Sequence, residues 1–369
     1  MTDWTDLPDD VLGSIARRVT LITDYIRFGA VCTSWRSVAN ANRPHLLHQL
    51  PWLLLPADNT VCSMNRRVYT LAESRLAHFH LPVPHNKLCV GSVGRWLLTV
   101  DSRLDIKVFN PFAGAEILLP RLYLFSKLDP IKLLSKIVLS SPPTSPEDRN
   151  FVAAAICGRT LAFWKPGEET WKPLDCQVEN IEDIIFYKQQ FYAVDSYGKV
   201  LACDLDSPQP DAIEFAPRPN PEPTEEKRYL VESSEGDLLQ VERRIVVGEK
   251  TDYQTVGFEV FKLCTVEEPR DHGRSWNRVS DLKSDILFLG HNASFSLSPA
   301  HFPSVKGNCI YFTDDYYRDP YYYSSDHFLG AIDMGIFDME KQTLRPHYVR
   351  KLTEVFCVPP IWVTPILPF

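Results

Sequence analysis

Two groups of side chains in this 369-residue chain have the types and spacing to do metal or acid–base chemistry. The first is His78-Phe79-His80, with His85 close behind. Alternate residues of a strand share a face, so His78 and His80 could ligate one metal ion. No acidic or Cys ligand stands beside them in the sequence, and polar surface residues are the better reading. The second is Asp314-Asp315 with Asp319, a conceivable carboxylate site. These residues lie in DDYYRDPYYYSSD, which has the composition of a solvated turn. The nine cysteines are spread singly from Cys32 to Cys357, and no two are spaced C-x-x-C. That pattern argues against a disulfide framework or a structural zinc site and suits a reducing compartment. Cys32 reads as a small buried apolar residue. The chain has no G-x-x-x-x-G-K-[ST] or G-x-G-x-x-G phosphate loop, no G-x-S-x-G elbow and no H-E-x-x-H motif. No metal or cofactor is expected.

Recognition is the other chemistry on offer. Tyr316, Tyr317, Tyr321, Tyr322 and Tyr323 present rigid amphipathic area with little entropy to lose on binding. The same tyrosines could instead pack against a neighbouring sheet. Net charge is −8 and there is no long basic run, so nucleic acid is not an expected partner. The richest apolar stretch, residues 46–55, is short and broken by His48, Gln49 and Pro51. It cannot span a bilayer, and no membrane partner is expected. The opening MTDWTDLPDD is acidic and lacks the layout of a signal or transit peptide, so cytosol or nucleus is the expected location. Asn292-Ala293-Ser294 matches a glycosylation acceptor and reads as chance.

The elements that would position these residues fall into two unlike parts. Pro8 suits a first helical position, and Asp9 and Asp10 follow where negative charge meets the positive end of a helix dipole. Val11, Leu12, Ile15 and Val19 repeat at helical spacing. Thr23 suits the cap of a second helix with Asp24 in its first turn, and Ile26, Ala30 and Val31 give it an apolar side. Trp35 and Val38 carry the pattern into a third helix. Gly29 weakens the second helix by up to about 1 kcal/mol relative to Ala, so tertiary packing must hold it. A helical unit of about 40 residues is near the lower size limit for an independent domain, and its apolar faces call for a partner.

From about residue 60 the period changes to two. Runs such as RWLLTVD, IKVFNP, FVAAAI, LAFWKP, FYAVD, KVLACDL and CIYFTDD alternate with turn-like SRLD, CGRT, KQQ and SYGK. This predicts an antiparallel meander without interspersed helices. Residues 140–150, 207–228 and 267–275 read as loops, the middle one Pro/Glu-rich and mobile. Roughly 310 residues at about 40–50 per propeller blade would make six or seven blades.

The opening segment resembles an F-box, the helical module that docks on the Skp adaptor of cullin–RING ubiquitin ligases. Leu7-Pro8, Leu12, Ile15, Val19, Val31-Cys32 and Trp35-Arg36 carry the resemblance; Gly29 and Tyr25 depart from it. The remainder is similar to the KIB-type β-propeller that accompanies the F-box in a large plant family. Its matching segments include VGSVGRWLLTVD, VFNPFAGAEILLP, FWKPGEETWKPL, FYAVDSYGKVLACDL, LFLGHNASFS and MGIFDME. The resemblance implies a mainly β chain with a small N-terminal α module: a three-helix F-box over residues 1–50 and a kelch-like propeller over 51–369. It implies a non-catalytic substrate receptor of an SCF-type ligase. Leu7, Pro8, Leu12, Ile15, Val19, Ile26, Val31, Cys32 and Trp35 would bind the adaptor, and the propeller would bind an unidentified protein. Two alternatives stay open: an adaptor-binding protein with a non-degradative scaffolding role, and a propeller enzyme with a residual F-box.

Overall fold

In the computed structural model, three short helices come first: α1 (Asp9–Ala16), α2 (Ile22–Gly29) and α3 (Thr33–Ala41). The structure describes residues 4, 7–19, 21–42, 49–55, 65–80, 87–101, 103–111, 114–122, 134–158, 160–178, 180–220, 226–248, 253–265, 273–302, 305–315, 333–347 and 360–365. Pro8 is the cap residue before α1, one place earlier than its sequence suggested, and its carbonyl accepts from Leu12 N–H at 3.0 Å. Likewise α2 starts before Thr23, with Leu21 as its cap residue and the Leu21 carbonyl accepting from Tyr25 N–H. Leu12, Ala16, Tyr25, Phe28, Val38 and Ala39 form the module's own core. Inside it the Tyr25 hydroxyl donates to the Ala39 carbonyl at 2.7 Å, and Phe28 and Trp35 meet with ring centroids 4.6 Å apart.

The strands follow in meanders. β1 (Trp52–Leu54), β2 (Asn65–Thr70) and β3 (Arg75–His80) precede a four-stranded antiparallel sheet of β4 (Leu88–Val93), β5 (Trp96–Val100), β6 (Ile106–Phe109) and β7 (Glu116–Leu119). An eight-stranded sheet contains two such meanders. One is β8 (Leu134–Leu139), β9 (Ala153–Cys157), β10 (Thr160–Trp164) and β11 (Lys172–Cys176). The other is β12 (Ile181–Tyr187), β13 (Gln190–Asp195), β14 (Val200–Asp204) and β15 (Asp211–Ala216). Parallel pairing of β11 with β15 joins them, Cys176 opposite Ala212. Then come β16 (Glu226–Glu232), β17 (Leu238–Val247), β18 (Tyr253–Thr265) and β19 (Arg274–Val279). A five-stranded sheet holds β20 (Ile286–Leu289), β21 (Phe295–Leu297), β22 (Cys309–Phe312), β23 (Gly335–Asp338) and β24 (Thr343–Arg345), with β20 and β22 parallel.

The last strand, β25 (Ile361–Val363), returns to the beginning. It pairs antiparallel with β1, Leu53 opposite Trp362, so the first and last strands share a sheet and close a ring. Inner strands β25, β4, β8, β12, β16 and β21 pack successively against one another. Hydrophobic clusters fill the gaps between successive sheets; one gathers Trp96, Ile137 and Trp164, another Leu53, Phe288, Tyr311 and Trp362. This is the construction of a β-propeller. Backbones come very close where β4 meets β8. A Cβ on Gly91 would lie 2.2 Å from the Ile137 carbonyl oxygen, so only glycine fits there.

Among the described residues the strands form five hydrogen-bonded sheets, because β11 and β15 fuse two meanders, so sheets and blades do not correspond one to one. Two expectations are corrected. Among the described residues two pairings are parallel, so the meander is not purely antiparallel. The stretch 207–228 is not one loop. Residues 211–216 form β15 against β14, with Ala212 and Ala216 buried, and the stretch ends inside β16.

Candidate docking surface

Five of the eleven large hydrophobic residues exposed among the described residues belong to the first 31 positions: Trp4, Val11, Ile15, Ile26 and Val31. Val11 and Ile15 stand four apart and share one side of α1. Ile26 lies on α2, and Val31 just beyond it is 53% exposed. The residues expected to dock divide by position. Ile15, Ile26, Val31 and Pro8 are exposed, and Leu7, Val19, Cys32 and Trp35 are half-buried. Leu12 is fully buried in the module core, so it shapes the face from behind and does not present a side chain to a partner. Trp4 and Val11 were missed. Trp4 is 65% exposed, and its carbonyl accepts from Trp35 Nε1 at 3.1 Å. Ile22 at the start of α2 faces the other way, into a cluster with Trp52, Leu54, Cys89, Leu97 and Val363. The helices are therefore fastened to the ring-closing sheet on one side and carry exposed apolar residues elsewhere.

The propeller's strongest polar feature surrounds Arg243 on β17, which is entirely buried. Its guanidinium donates to Asp315 Oδ1 at 2.9 Å, Asp333 Oδ2 at 2.9 Å, the Thr313 and Asp333 carbonyls at 3.0 Å and Thr255 Oγ1 at 2.7 Å. Burial alone would lower the Arg243 pKa; the oxygens of Tyr229, Asp315 and Asp333 outweigh it and raise it. Burial, followed by the Asp315 charge, pushes the Tyr229 hydroxyl well above its ordinary range. Asp314 accepts from Tyr253 Oη at 2.5 Å and from Asp333 N–H at 3.2 Å. The expectation of a solvated turn at Asp314 and Asp315 is thus wrong: both are buried, because Arg243 neutralises this corner. Asp319 and the recognition tyrosines Tyr316, Tyr317, Tyr321, Tyr322 and Tyr323 lie outside the described residues.

A cavity of about 510 Å³ opens on the propeller axis. The C-terminal parts of β4, β8, β12 and β16, together with residues 292–296, line it. Seven of its lining residues are serines: Ser92, Ser140, Ser141, Ser233, Ser234, Ser294 and Ser296. Lys136 and Glu232 are its charged members. Lys136 is paired with Asp183, whose carboxylate also accepts the N–H groups of Ile184 and Leu230 at 2.8 and 2.9 Å.

His78 is exposed on β3, and His85 lies outside the described residues. Among the described residues no group of three or more His, Cys, Asp or Glu side chains could hold a metal ion. Nor is any helix among them long and apolar enough to cross a membrane.

A model of the F-box domain matches residues 4–47, and a model of the KIB1-4 β-propeller matches residues 68–338. The chain belongs to the KIB1-4 β-propeller family. It is an F-box protein with three N-terminal helices and a C-terminal propeller. The chain is 25% identical to F-box protein SKIP23 of Arabidopsis thaliana over 99% of its own length and 96% of that protein's. It is 24% identical to F-box protein At2g17036 of the same plant, over 99% of this chain and 95% of the relative. The solved β-propeller domain of Cps50 (Swd1) from Myceliophteria thermophila has 10% identity and a TM-score of 0.39 over 80% of this chain and 88% of that one.

Within this F-box protein the missed features carry different sequence signals. Val11 sits at helical spacing from Ile15, which places the two on one side of the helix but does not say that this side faces outward. The Arg243 corner had no local signal, because its acidic partners are 72 and 90 positions downstream. The serines of the axial cavity are scattered over four sheets and form no motif.

Proposed function

We propose that this F-box protein is the substrate-receptor subunit of an SCF-type E3 ubiquitin ligase. Its helices dock on a Skp-type adaptor and through it reach a cullin–RING ligase; its propeller holds a target protein and does no chemistry itself. The observation that carries this reading is the exposed apolar set Val11, Ile15, Ile26 and Val31 on a helical unit whose own core is already complete. A few apolar anchors supply most of the energy in helix-in-groove recognition. Tethering then raises the effective concentration of a substrate lysine beside the loaded conjugating enzyme. Leu7, Pro8, Val19, Cys32 and Trp35 complete the proposed face. The tyrosines at 316–323 are retained as a proposed target contact.

We also read the propeller as six-bladed. The eight-stranded sheet divides into two consecutive meanders that share only the short β11–β15 pairing, and the other four sheets count one each. A kelch-like repeat is a finer reading of the same ring. The cysteines of the described residues are all free thiols, which supports a cytoplasmic or nuclear setting.

The test is capture of the full chain by a purified Skp-type adaptor. Ile15→Asp with Val31→Asp should abolish capture while the melting temperature holds. Undiminished capture by that variant would reject the docking face.

A further inference from the structure

The axial cavity offers donors without charge. Ser92 Oγ accepts from Asn292 Nδ2 at 2.8 Å, Ser140 Oγ from Val152 N–H at 2.9 Å and Ser233 Oγ from Asp237 N–H at 3.0 Å. In each the oxygen is engaged, and its hydrogen remains to be donated. Ser294 Oγ is buried in the wall and makes no hydrogen bond within the structure. An unmet buried hydroxyl is costly, and a ligand that supplies a partner relieves it. Several hydroxyl donors on different sheets therefore face one space.

The charges decide which acceptor suits them. Phosphate recognition relies on arginine clusters or free ammonium groups. Here the cation of the lining, Lys136, is held by Asp183, and Glu232 adds a carboxylate at the exposed rim. An anionic group would meet repulsion with no uncompensated positive charge to hold it. A neutral carbonyl oxygen can take the hydroxyl hydrogens of Ser92, Ser140, Ser233 and Ser294, whereas those of Ser141, Ser234 and Ser296 are already given to Asn150, Asp285 and the Glu232 carbonyl. Val93, Val138, Phe186 and Phe295 supply apolar wall between them.

We propose that this cavity reads the target through an uncharged, unphosphorylated peptide segment, its backbone and Asn or Gln carbonyls taken by the serine hydroxyls and small aliphatic side chains seated against the apolar wall. The proposal rests on the receptor reading above and names its substrate class.

A synthetic random-peptide array tests it, printed in duplicate with phosphoserine and phosphothreonine replacing serine and threonine in the second copy. The probe is the full chain, with the adaptor-capture assay run separately. The expected result is a set of uncharged peptides whose binding falls at least tenfold in the phosphorylated copy. Ser294→Trp, which plugs the cavity, should lower binding of those peptides at least tenfold with adaptor capture unchanged. Should Ser294→Trp fail to fold, Ser141→Trp at the same cavity replaces it. Equal or stronger binding of phosphorylated copies overturns the proposal. So does peptide binding indifferent to the plug, or an array without binders. Plug-sensitive binding to a glycan array in place of peptides also overturns it. Loss of adaptor capture by the native chain alongside plug-sensitive peptide binding would instead reject the ligase reading and leave this one standing.

Discussion

Asn292 and Trp362 hold each other by two hydrogen bonds: Asn292 Nδ2 donates to the Trp362 carbonyl at 2.8 Å, and Trp362 N–H donates to Asn292 Oδ1 at 3.2 Å. The same Nδ2 donates to Ser92 Oγ at 2.8 Å. Asn292 follows β20, Trp362 is the centre of β25 and Ser92 is in β4, so one amide ties three sheets where the ring closes. The side chain is 1% exposed, and its acceptor-motif sequence is not presented by the folded protein. Asn292→Leu leaves buried backbone groups of Trp362 unpaired and should cost about 2–4 kcal/mol. Urea unfolding of the full chain checks this; an unchanged midpoint would show that the β1–β25 pairing suffices alone.

His347 should make the same seam acid-sensitive. Its ring lies 5.6 Å from Trp362 and 6.5 Å from Tyr311 and from Tyr69, centroid to centroid, and Nε2 donates to the Phe312 carbonyl at 3.1 Å. Burial pushes its pKa down from 6.5 to about 4, against a small upward pull from that carbonyl. The folded pKa lies below the unfolded one. Its stabilising share is therefore complete above pH 6.5 and is lost as pH falls through about 4, up to about 3 kcal/mol in all. Glu242 acts in the opposite sense. Burial, then its hydrogen bond with Glu226, pushes it up to about 7, so its share is lost as pH rises from 4.5 to about 7. Stability measured against pH for the native chain and His347→Gln isolates the histidine. The difference between the two curves should shrink as pH falls from 6.5 to 4; parallel curves would remove His347 from the account.

On the helical side, Leu12 and Ile15 should separate stability from docking. They are three residues apart on α1, yet one is fully buried and the other 37% exposed. Leu12→Ala opens a cavity in the module core and should cost the module about 2–5 kcal/mol. Ile15→Ala should cost well under about 1.5 kcal/mol and weaken adaptor capture at least tenfold. Thermal melts and adaptor titrations of both variants decide it. Equal destabilisation by the two would mean that Ile15 belongs to the core after all.

What the residue pattern revealed follows from the range of the interactions. The helical spacing of Val11, Ile15 and Val19, that of Ile26 and Ala30, and the period of two in WLLTV or FYAVD report local geometry, and the helices and most strands were legible from them. A short amphipathic helix has two apolar edges, and spacing alone does not say that Leu12 faces in and Ile15 out. Pro and Glu on either side hid β15, whose place is set by pairing with β14 on one side and β11 on the other. The β1–β25 pairing joins segments about 300 residues apart, and nothing in IWV or WLL names its partner. Asp315 looked solvated for the same reason: its counter-ion, Arg243, is far upstream.

Gly91 should be irreplaceable even by alanine. An added Cβ falls 2.2 Å from the Ile137 oxygen and 3.0 Å from Leu98 Cδ1, and the first of these contacts is with backbone. Relief requires β4 and β8 to move apart, which disturbs the cluster holding Val90 and Ile137. Gly91→Ala should cost about 1–3 kcal/mol or more by overpacking. Native-like stability of the variant in chemical denaturation would mean the two inner strands can separate freely.

Arg243 should be the most sensitive charged position in the propeller. Removing it by Arg243→Met strands Asp315 and Asp333, both buried, without their cation, a change worth about 3–5 kcal/mol. Arg243→Lys retains a charge but not the planar fork that reaches Asp315, Asp333, Thr313 and Thr255 together, and it should recover only part of the loss. The cause is testable separately from the size. If stranded carboxylates dominate, Arg243→Met combined with Asp315→Asn and Asp333→Asn should be more stable than Arg243→Met alone, a non-additive gain expected of groups in one network. Urea unfolding of the three proteins measures it. A triple variant no more stable than the single one would locate the loss in packing over Phe312, whose ring centroid lies 4.7 Å from the guanidinium carbon, and not in electrostatics.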